Sequence, residues 1–397
     1  MKQINLDNAA TTRIDEKVIE AMMPYFNEKY GNASSTHYLG EEAKRAVEES
    51  RKTISKSIGA KYDEIVFTSG GTESNNLVIK GLYFNLKKSK SDKNHIVTTK
   101  IEHDCVLNAC KFLEENFDIK VTYLGVDKEG FIDINQLKNS LTDKTFLVSI
   151  IHGNNEIGTI QDLEEIGKII KSHKNGKEIA FHTDACQSYT KVPIDVDKMK
   201  LDFVTINAHK IHGPKGVGAL YVRKEFKNKL TPLASGGGHE FGLRSGTLNV
   251  PGIIGLAKAV SISNSSDVNK VREIRDYTIN ELLKIEGVKL NGAKNEQTKK
   301  GLFGKADKRL ANNVNVCIKG VEGEMLGSYL NAKNIYTSTG SACASHHAQE
   351  LSHVLSAIGL TKEEIKNSIR ITLSKYNTKE EIDFALEEIK KTIVKLR

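Results

Sequence analysis

The sequence predicts an α/β protein, a mostly parallel sheet covered by helices on both faces and joined to a smaller α+β domain. Three observations carry this. Short, continuous apolar runs alternate with helical patterns through the first two-thirds of the chain. After about Val250 the texture turns helix-rich, with only a few strands. The 397 residues also suit two or three domains at about 150 residues each, with a boundary near residue 260.

The elements follow in order. Ile65–Ser69 reads as a strand, and Gly70-Gly71-Thr72-Glu73 leads into a helical pattern through Leu77, Ile79, Leu82 and Phe84. Further strands are expected at His95–Thr99, Lys120–Leu124, Thr145–His152, Glu178–Asp184, Leu201–Asn207 and Gly216–Arg223, with helices between several of them, such as Leu163–Ile170. Beyond these, helices are expected at Ile253–Ser261, Val268–Leu283, Glu324–Lys333 and Lys379–Leu396, with strands at Asn313–Ile318 and Ile369–Ser374. Two patches, Lys87–Lys93 and Ser263–Ser266, read as surface turns.

Composition narrows the class. Apolar residues make up 39% and charged residues 27%, with 31 glycines and 5 prolines, a globular balance. No run approaches the roughly 18 apolar residues of a membrane span. MKQINLDNAATT has neither the apolar stretch of a signal peptide nor the Arg/Ser-rich character of a transit peptide. A soluble, cytoplasmic protein is therefore expected. The net charge of +8 is spread along helical stretches such as Glu41–Arg51 and Lys379–Lys391, where lysines stand beside acids, so no dedicated nucleic-acid surface is expected. Five cysteines at irregular spacing argue for reduced thiols rather than a disulfide framework. His103, Cys105 and Cys110 lack a fourth ligand nearby, and no metal site is expected there.

Several residues could carry chemistry. Lys210 follows an expected strand end and precedes a glycine-rich turn, where its amine could form a Schiff base with an aldehyde or could be an ordinary surface lysine. The Gly70–Ser74 stretch opens a helix directly after a strand, a place where free N–H groups can hold a phosphate. Asp184 could cap the next turn or pair with a protonated pyridine nitrogen. His103 could cap a helix, stack on an aromatic ring or shuttle protons. Cys343 lies in a small, polar stretch, Ser338–Ser345, with no apolar periodicity to bury its thiol, which suits a mobile nucleophile. The other four cysteines sit among apolar neighbours and read as packing residues.

Taken together, the chain resembles the cysteine desulfurases of the NifS/IscS type, class-V aminotransferase relatives with the aspartate-aminotransferase fold (pyridoxal phosphate fold type I). The resemblance rests on LDNAATT (6–12), GNASSTH (31–37), VFTSGGTESNN (66–76), EHDCVL (102–107), HGNNEIG (152–158) and HTDACQS (182–188). It continues through AHKIHGPKGVGALYVR (208–223), GGGHEFGLRSGT (236–247), NNVNV (312–316), GSACAS (340–345) and SIRITLS (368–374).

The resemblance implies three units: an N-terminal segment, 1–15, packing with the small domain; a large cofactor-binding domain, 16–260; and a small C-terminal domain, 261–397, carrying the cysteine loop. It implies that Lys210 binds pyridoxal 5'-phosphate as a Schiff base and moves protons. It places His103 against the ring, Asp184 on the ring nitrogen, and Asn155 and Gln187 on the ring's oxygen side. Gly71, Thr72, His209 and the Asn207 position would hold the phosphate, together with Thr247 from a neighbouring subunit. Arg370, with Asn155, would bind the carboxylate of L-cysteine. Cys343 would take the sulfur as a persulfide, releasing L-alanine.

The implied partners are a second copy of the chain and an iron–sulfur scaffold or another sulfur acceptor, with Cys343 also weighed as a transient cluster ligand. Selenocysteine lyase, and a non-catalytic assembly or nucleic-acid-binding protein on the same fold, are the alternatives. Against the family pattern, Asn207 replaces a serine or threonine, Phe241 an arginine, Ala33 and Leu351 prolines, and Ser374 a glycine. No extended docking tail follows Arg397 in this sequence, which leaves the acceptor unassigned.

Overall fold

The computed structural model describes residues 3–294, 297–301, 304–339 and 351–397. Fourteen strands are found among them: β1 (Ile4–Asn5), β2 (Ile65–Thr68), β3 (His95–Thr99), β4 (Lys120–Leu124), β5 (Thr145–Ser149), β6 (Ala180–Asp184), β7 (Phe203–Asn207), β8 (Gly218–Val222), β9 (Val288–Leu290), β10 (Gln297–Gly301), β11 (Gly304–Asp307), β12 (Asn313–Ile318), β13 (Ile335–Tyr336) and β14 (Ser368–Thr372).

β2 to β8 form one seven-stranded sheet in the order β2-β8-β7-β6-β5-β3-β4. Every pairing is parallel except the two made by β8, which runs antiparallel to both β2 and β7. The exception has a simple cause. Only residues 208–217 separate β7 from β8, too few for a crossover helix, so the chain must turn straight back. Strands β5 to β8 are buried along their whole length, as expected for a sheet covered on both faces. β4 lies at an edge and begins on exposed Lys120.

One face of the sheet packs on the helices Tyr38–Ser57, Leu163–Ser172 and Val250–Ile262, through residues such as Val47, Ile54, Phe181, Val204 and Leu256. The other packs on the helices Gly71–Lys88 and Asp104–Asn116, through Leu77, Leu82, Leu113, Leu147 and Phe203. A separate apolar cluster joins Ile4 and Leu6 to the antiparallel sheet β14-β12-β9 and to the helices Ser265–Leu283 and Lys379–Leu396. Parallel pairing of β1 with β13, and an Asp7–Thr372 bridge, bind the start of the chain to this C-terminal part.

Two local expectations are corrected. Lys87 and Lys88 are the last turn of the helix Gly71–Lys88 rather than part of a turn, a favourable place for cations. Ser265 likewise opens the helix Ser265–Leu283, with Asn264 as its N-cap.

Candidate active site

β2, β3, β5, β6 and β7 all point the same way, so their C-terminal ends deliver side chains to one edge of the sheet. This is the edge where open α/β sheets bind ligands. Asp184 is the last residue of β6 and Asn207 the last of β7, with His209 and Lys210 in the turn behind it. His103 follows β3 and caps the helix Asp104–Asn116, its Nδ1 accepting from Cys105 N at 3.2 Å. Gly70 and Gly71 follow β2.

The Asp184 carboxylate is buried and held at both oxygens. Oδ1 accepts from Cys186 N at 2.9 Å and Oδ2 from Asn75 Nδ2 at 2.7 Å. Burial pushes its pKa up, but the neighbouring His103 and these donors more than offset it, leaving the carboxyl below its ordinary value and ionised. Burial first, and the charge of Lys210 second, hold the His103 imidazole below its usual value. An ionised carboxylate held by two donors near an imidazole ring is a suitable setting for an aromatic cation.

The helix Gly71–Lys88 begins on Gly70, at φ 152°, with no side-chain cap. Its first N–H groups and its dipole therefore face the same edge. A β-carbon on Gly71 would lie 2.7 Å from Cys186 Sγ, so the backbone approaches the end of β6 as only glycine allows. Thr72 is exposed at this helix start. Buried Asn75 Oδ1 and Asn207 Oδ1 have no hydrogen-bond partner among the described residues. His209 reaches Thr11 Oγ1 at 3.2 Å, and Gln187 Nε2 donates to Ala9 O at 3.0 Å.

Arg370 stands on β14, in the C-terminal sheet, and is buried. Its Nη1 donates to Asn155 O at 3.1 Å and its Nη2 to Asp7 Oδ1 at 2.9 Å, while Nε has no partner among the described residues. The segment containing Cys343 lies outside the described residues; the residues before it are fixed at Arg370 and those after it at Glu156. Ser338 pairs with Arg370 through two backbone hydrogen bonds, and Ser352 Oγ donates to Glu156 Oε2 at 2.6 Å. Thr247 is exposed, three residues beyond Arg244, which pairs with Glu73 at 3.0 Å.

A family model for class-V aminotransferases matches residues 4–384. A cysteine desulfurase IscS from Dictyoglomus turgidum is 46% identical, over 100% of this chain and 96% of its own length. The chain belongs to the cysteine desulfurases, within the class-V aminotransferases. Among solved structures, a NifS-like protein superposes with a TM-score of 0.87 at 36% identity, covering 99% of this chain and all of its own. SspA in complex with cysteine superposes at 0.80 with 39% identity, covering 95% of this chain and all of its own. Cysteine desulfurases depend on pyridoxal 5'-phosphate, and the residues here fit it: an uncapped helix start for the phosphate, an ionised buried acid for the ring nitrogen and a lysine in the adjoining turn.

Other residues at this edge gave no signal in the sequence. Cys105, expected in apolar packing, is half-buried and in polar contact, with Asn75 Nδ2 at 3.1 Å and His103 Nδ1 at 3.0 Å; burial pushes its thiol up to about 12. Cys110, by contrast, is fully buried in the core. Glu102 is completely buried, and burial lifts its carboxyl to about 8. Among the described residues no cluster of three metal-ligating side chains occurs, and no helix is long and apolar enough to cross a membrane.

Proposed function

We infer that the protein is a cysteine desulfurase that converts L-cysteine to L-alanine and keeps the sulfur as an enzyme persulfide. The observation that carries the mechanism is the convergence of Asp184, His103, Lys210 and the uncapped Gly70–Gly71 helix start on one sheet edge. When bound, pyridoxal 5'-phosphate supplies an aldehyde for an amine and an electron-withdrawing ring that accepts charge from the substrate.

Gly71, Thr72, Asn207 and His209 would hold the phosphate, with Thr247 reaching it from a second subunit. Asp184, kept ionised by its two donors, would pair with the ring nitrogen, while His103 packs on the ring and Asn155 and Gln187 serve its oxygen side. Lys210 would hold the aldehyde and, once released, carry protons at the substrate's Cα. Arg370 would exchange Asp7 for the substrate carboxylate, a bidentate match for its guanidinium. The Cys343 thiolate would attack the substrate sulfur. The S–S bond forms as the Cβ–S bond breaks, and the departing carbon takes a proton to become alanine's methyl group.

The homodimer, the cytoplasmic setting and sulfur delivery to an iron–sulfur scaffold or another acceptor belong to the same proposal. So does the division into residues 1–15, 16–260 and 261–397, with the site between the two larger units. The lyase and non-catalytic readings are not favoured, because the relatives are named for desulfurase activity. The test is cysteine-dependent release of alanine and sulfide. The wild type should release both, Lys210→Ala should lose the visible absorption of the bound coenzyme, and Cys343→Ser should bind the coenzyme but release no sulfide. Full sulfide release by Cys343→Ser would overturn the assignment of that thiol.

A further inference from the structure

Lys191 lies three residues beyond Ser188, in the turn after β6, and none of the roles above uses it. Its Nζ donates to the main-chain carbonyls of Gln187, at 2.9 Å, and Lys210, at 3.1 Å. Both carbonyls belong to residues of the coenzyme site, one after β6 and one after β7. No carboxylate comes within ion-pair distance of this amine among the described residues. Lys191 and Lys210 also line a partly open cavity of about 70 Å³, together with Val271, Leu373 and Lys375.

We propose that Lys191 is a positioning residue for Lys210, its amine tying the Gln187 turn to the Lys210 turn and setting its charge beside the coenzyme-bearing lysine. The inference rests on the coenzyme reading above. A lysine that only stabilised the fold would ordinarily have a carboxylate partner; this half-buried one directs two of its donors to carbonyls of the site. The titratable groups facing it are Lys210, His209 and His212 on the β7–β8 turn and Cys186 after β6, with Asp267 and Lys375 across the cavity. Lys375 is neutralised by Asp15 at 2.6 Å. Burial first, and the charge of Lys210 second, hold the Lys191 amine down at about 7. Below that pH Lys191 is a cation; above it the clamp remains but the charge is gone.

The test compares holoenzymes of wild type, Lys191→Met and Lys191→Arg by pH titration of the bound coenzyme's absorption and by its loss on dialysis. The Met variant should titrate with a midpoint about one unit higher, because a nearby positive charge is removed. It should also release coenzyme roughly tenfold faster, because two carbonyls lose their donor. Arg keeps charge and donors, and the cavity leaves space for it, so that variant should return towards wild type. If the Met variant does not fold, Lys191→Gln, which retains an N–H without charge, takes its place in the comparison. A folded Met or Gln variant with wild-type midpoint and release rate overturns the inference. Wild type that takes up no pyridoxal phosphate overturns both readings, whereas wild type that binds it while the variants behave identically sinks only this one.

Discussion

Glu102 stands next to His103 and has no exposed surface, yet only one of its two carboxyl oxygens is used. Oε1 accepts from Thr99 Oγ1 and from Ile151 N, each at 2.8 Å, while Oε2 has no partner among the described residues. Burial, assisted by the negative Asp184, raises its carboxyl to about 8, so the folded protein holds this proton at neutral pH where an unfolded chain would not. The folded state binds more protons than the unfolded state between the ordinary value of 4.5 and about 8, so this group's contribution to stability falls as pH rises across that window. Glu102→Gln cannot ionise. Its stability relative to wild type should therefore grow from pH 5 to pH 8 and then level off, by at most about 5 kcal/mol at 1.36 kcal/mol per unit. Urea denaturation of both proteins across that range checks this; a constant difference would mean that Glu102 is already ionised. Neither this residue nor Lys191 was legible in the sequence, because a strand-end acid and a loop lysine acquire their character only from what folds over them. Lys210, Asp184 and His103 were legible as candidates because the first two stand at the end of an apolar strand and the third stands ahead of a helix.

At the level of elements, the seven strands of the large sheet were legible because buried parallel strands are written as uninterrupted apolar runs. His95–Thr99 and Lys120–Leu124 fall where they were expected, whereas Thr145–His152 and Glu178–Asp184 were drawn too long. The excess residues Ile150 to His152 and Ile179 are buried for tertiary reasons but lie outside the ladder, and Glu178 is an exposed charge paired with Lys93. The pattern could not reveal the direction of β8, since a buried antiparallel strand reads the same as a parallel one. Nor did it reveal what holds the 236–247 loop. Glu240 and Phe241 both adopt left-handed backbone, φ 50° and 59°, although neither is glycine. The conformation is held by Glu240, buried, which accepts from Arg51 Nη1 and Nη2 at 2.8 Å each and from Phe67 N at 2.6 Å. Phe241, where the family more often has arginine, lies under Lys227 Nζ at 4.4 Å from its ring centroid, so positive charge still surrounds this position. Glu240→Ala would leave the buried Arg51 guanidinium with Glu48, at 3.2 Å, as its only carboxylate among the described residues, and should destabilise the protein by about 3 kcal/mol in chemical denaturation. A loss below about 1 kcal/mol, typical of an exposed pair, would show that the loop is held by something else.

For the molecule as a whole, the proposed division places the coenzyme edge on one unit and Arg370 on the other, so the site depends on what binds the two together. The start of the chain is one such tie. Ile4 and Leu6 are buried in the C-terminal cluster, Asn8 Nδ2 donates to Thr372 O at 2.8 Å and Asp7 holds Arg370, while a few residues later Thr12 Oγ1 donates to His209 O at 2.8 Å, beside Lys210. Burying two aliphatic side chains is worth roughly 3–6 kcal/mol, and much of that acts on the smaller unit alone. Removing residues 1–8 should therefore lower the stability of the C-terminal sheet selectively. In hydrogen exchange, amides of β12 and β14 should lose protection while those of β5, β6 and β7 keep theirs, because the large sheet's own clusters do not contain Ile4 or Leu6. Coenzyme retention should stay near wild type in the same protein because Asp184, Lys210 and the Gly71 helix start are untouched. Equal loss of protection in both sheets would show that they unfold as one unit, and the proposed boundary near residue 260 would then have no energetic meaning.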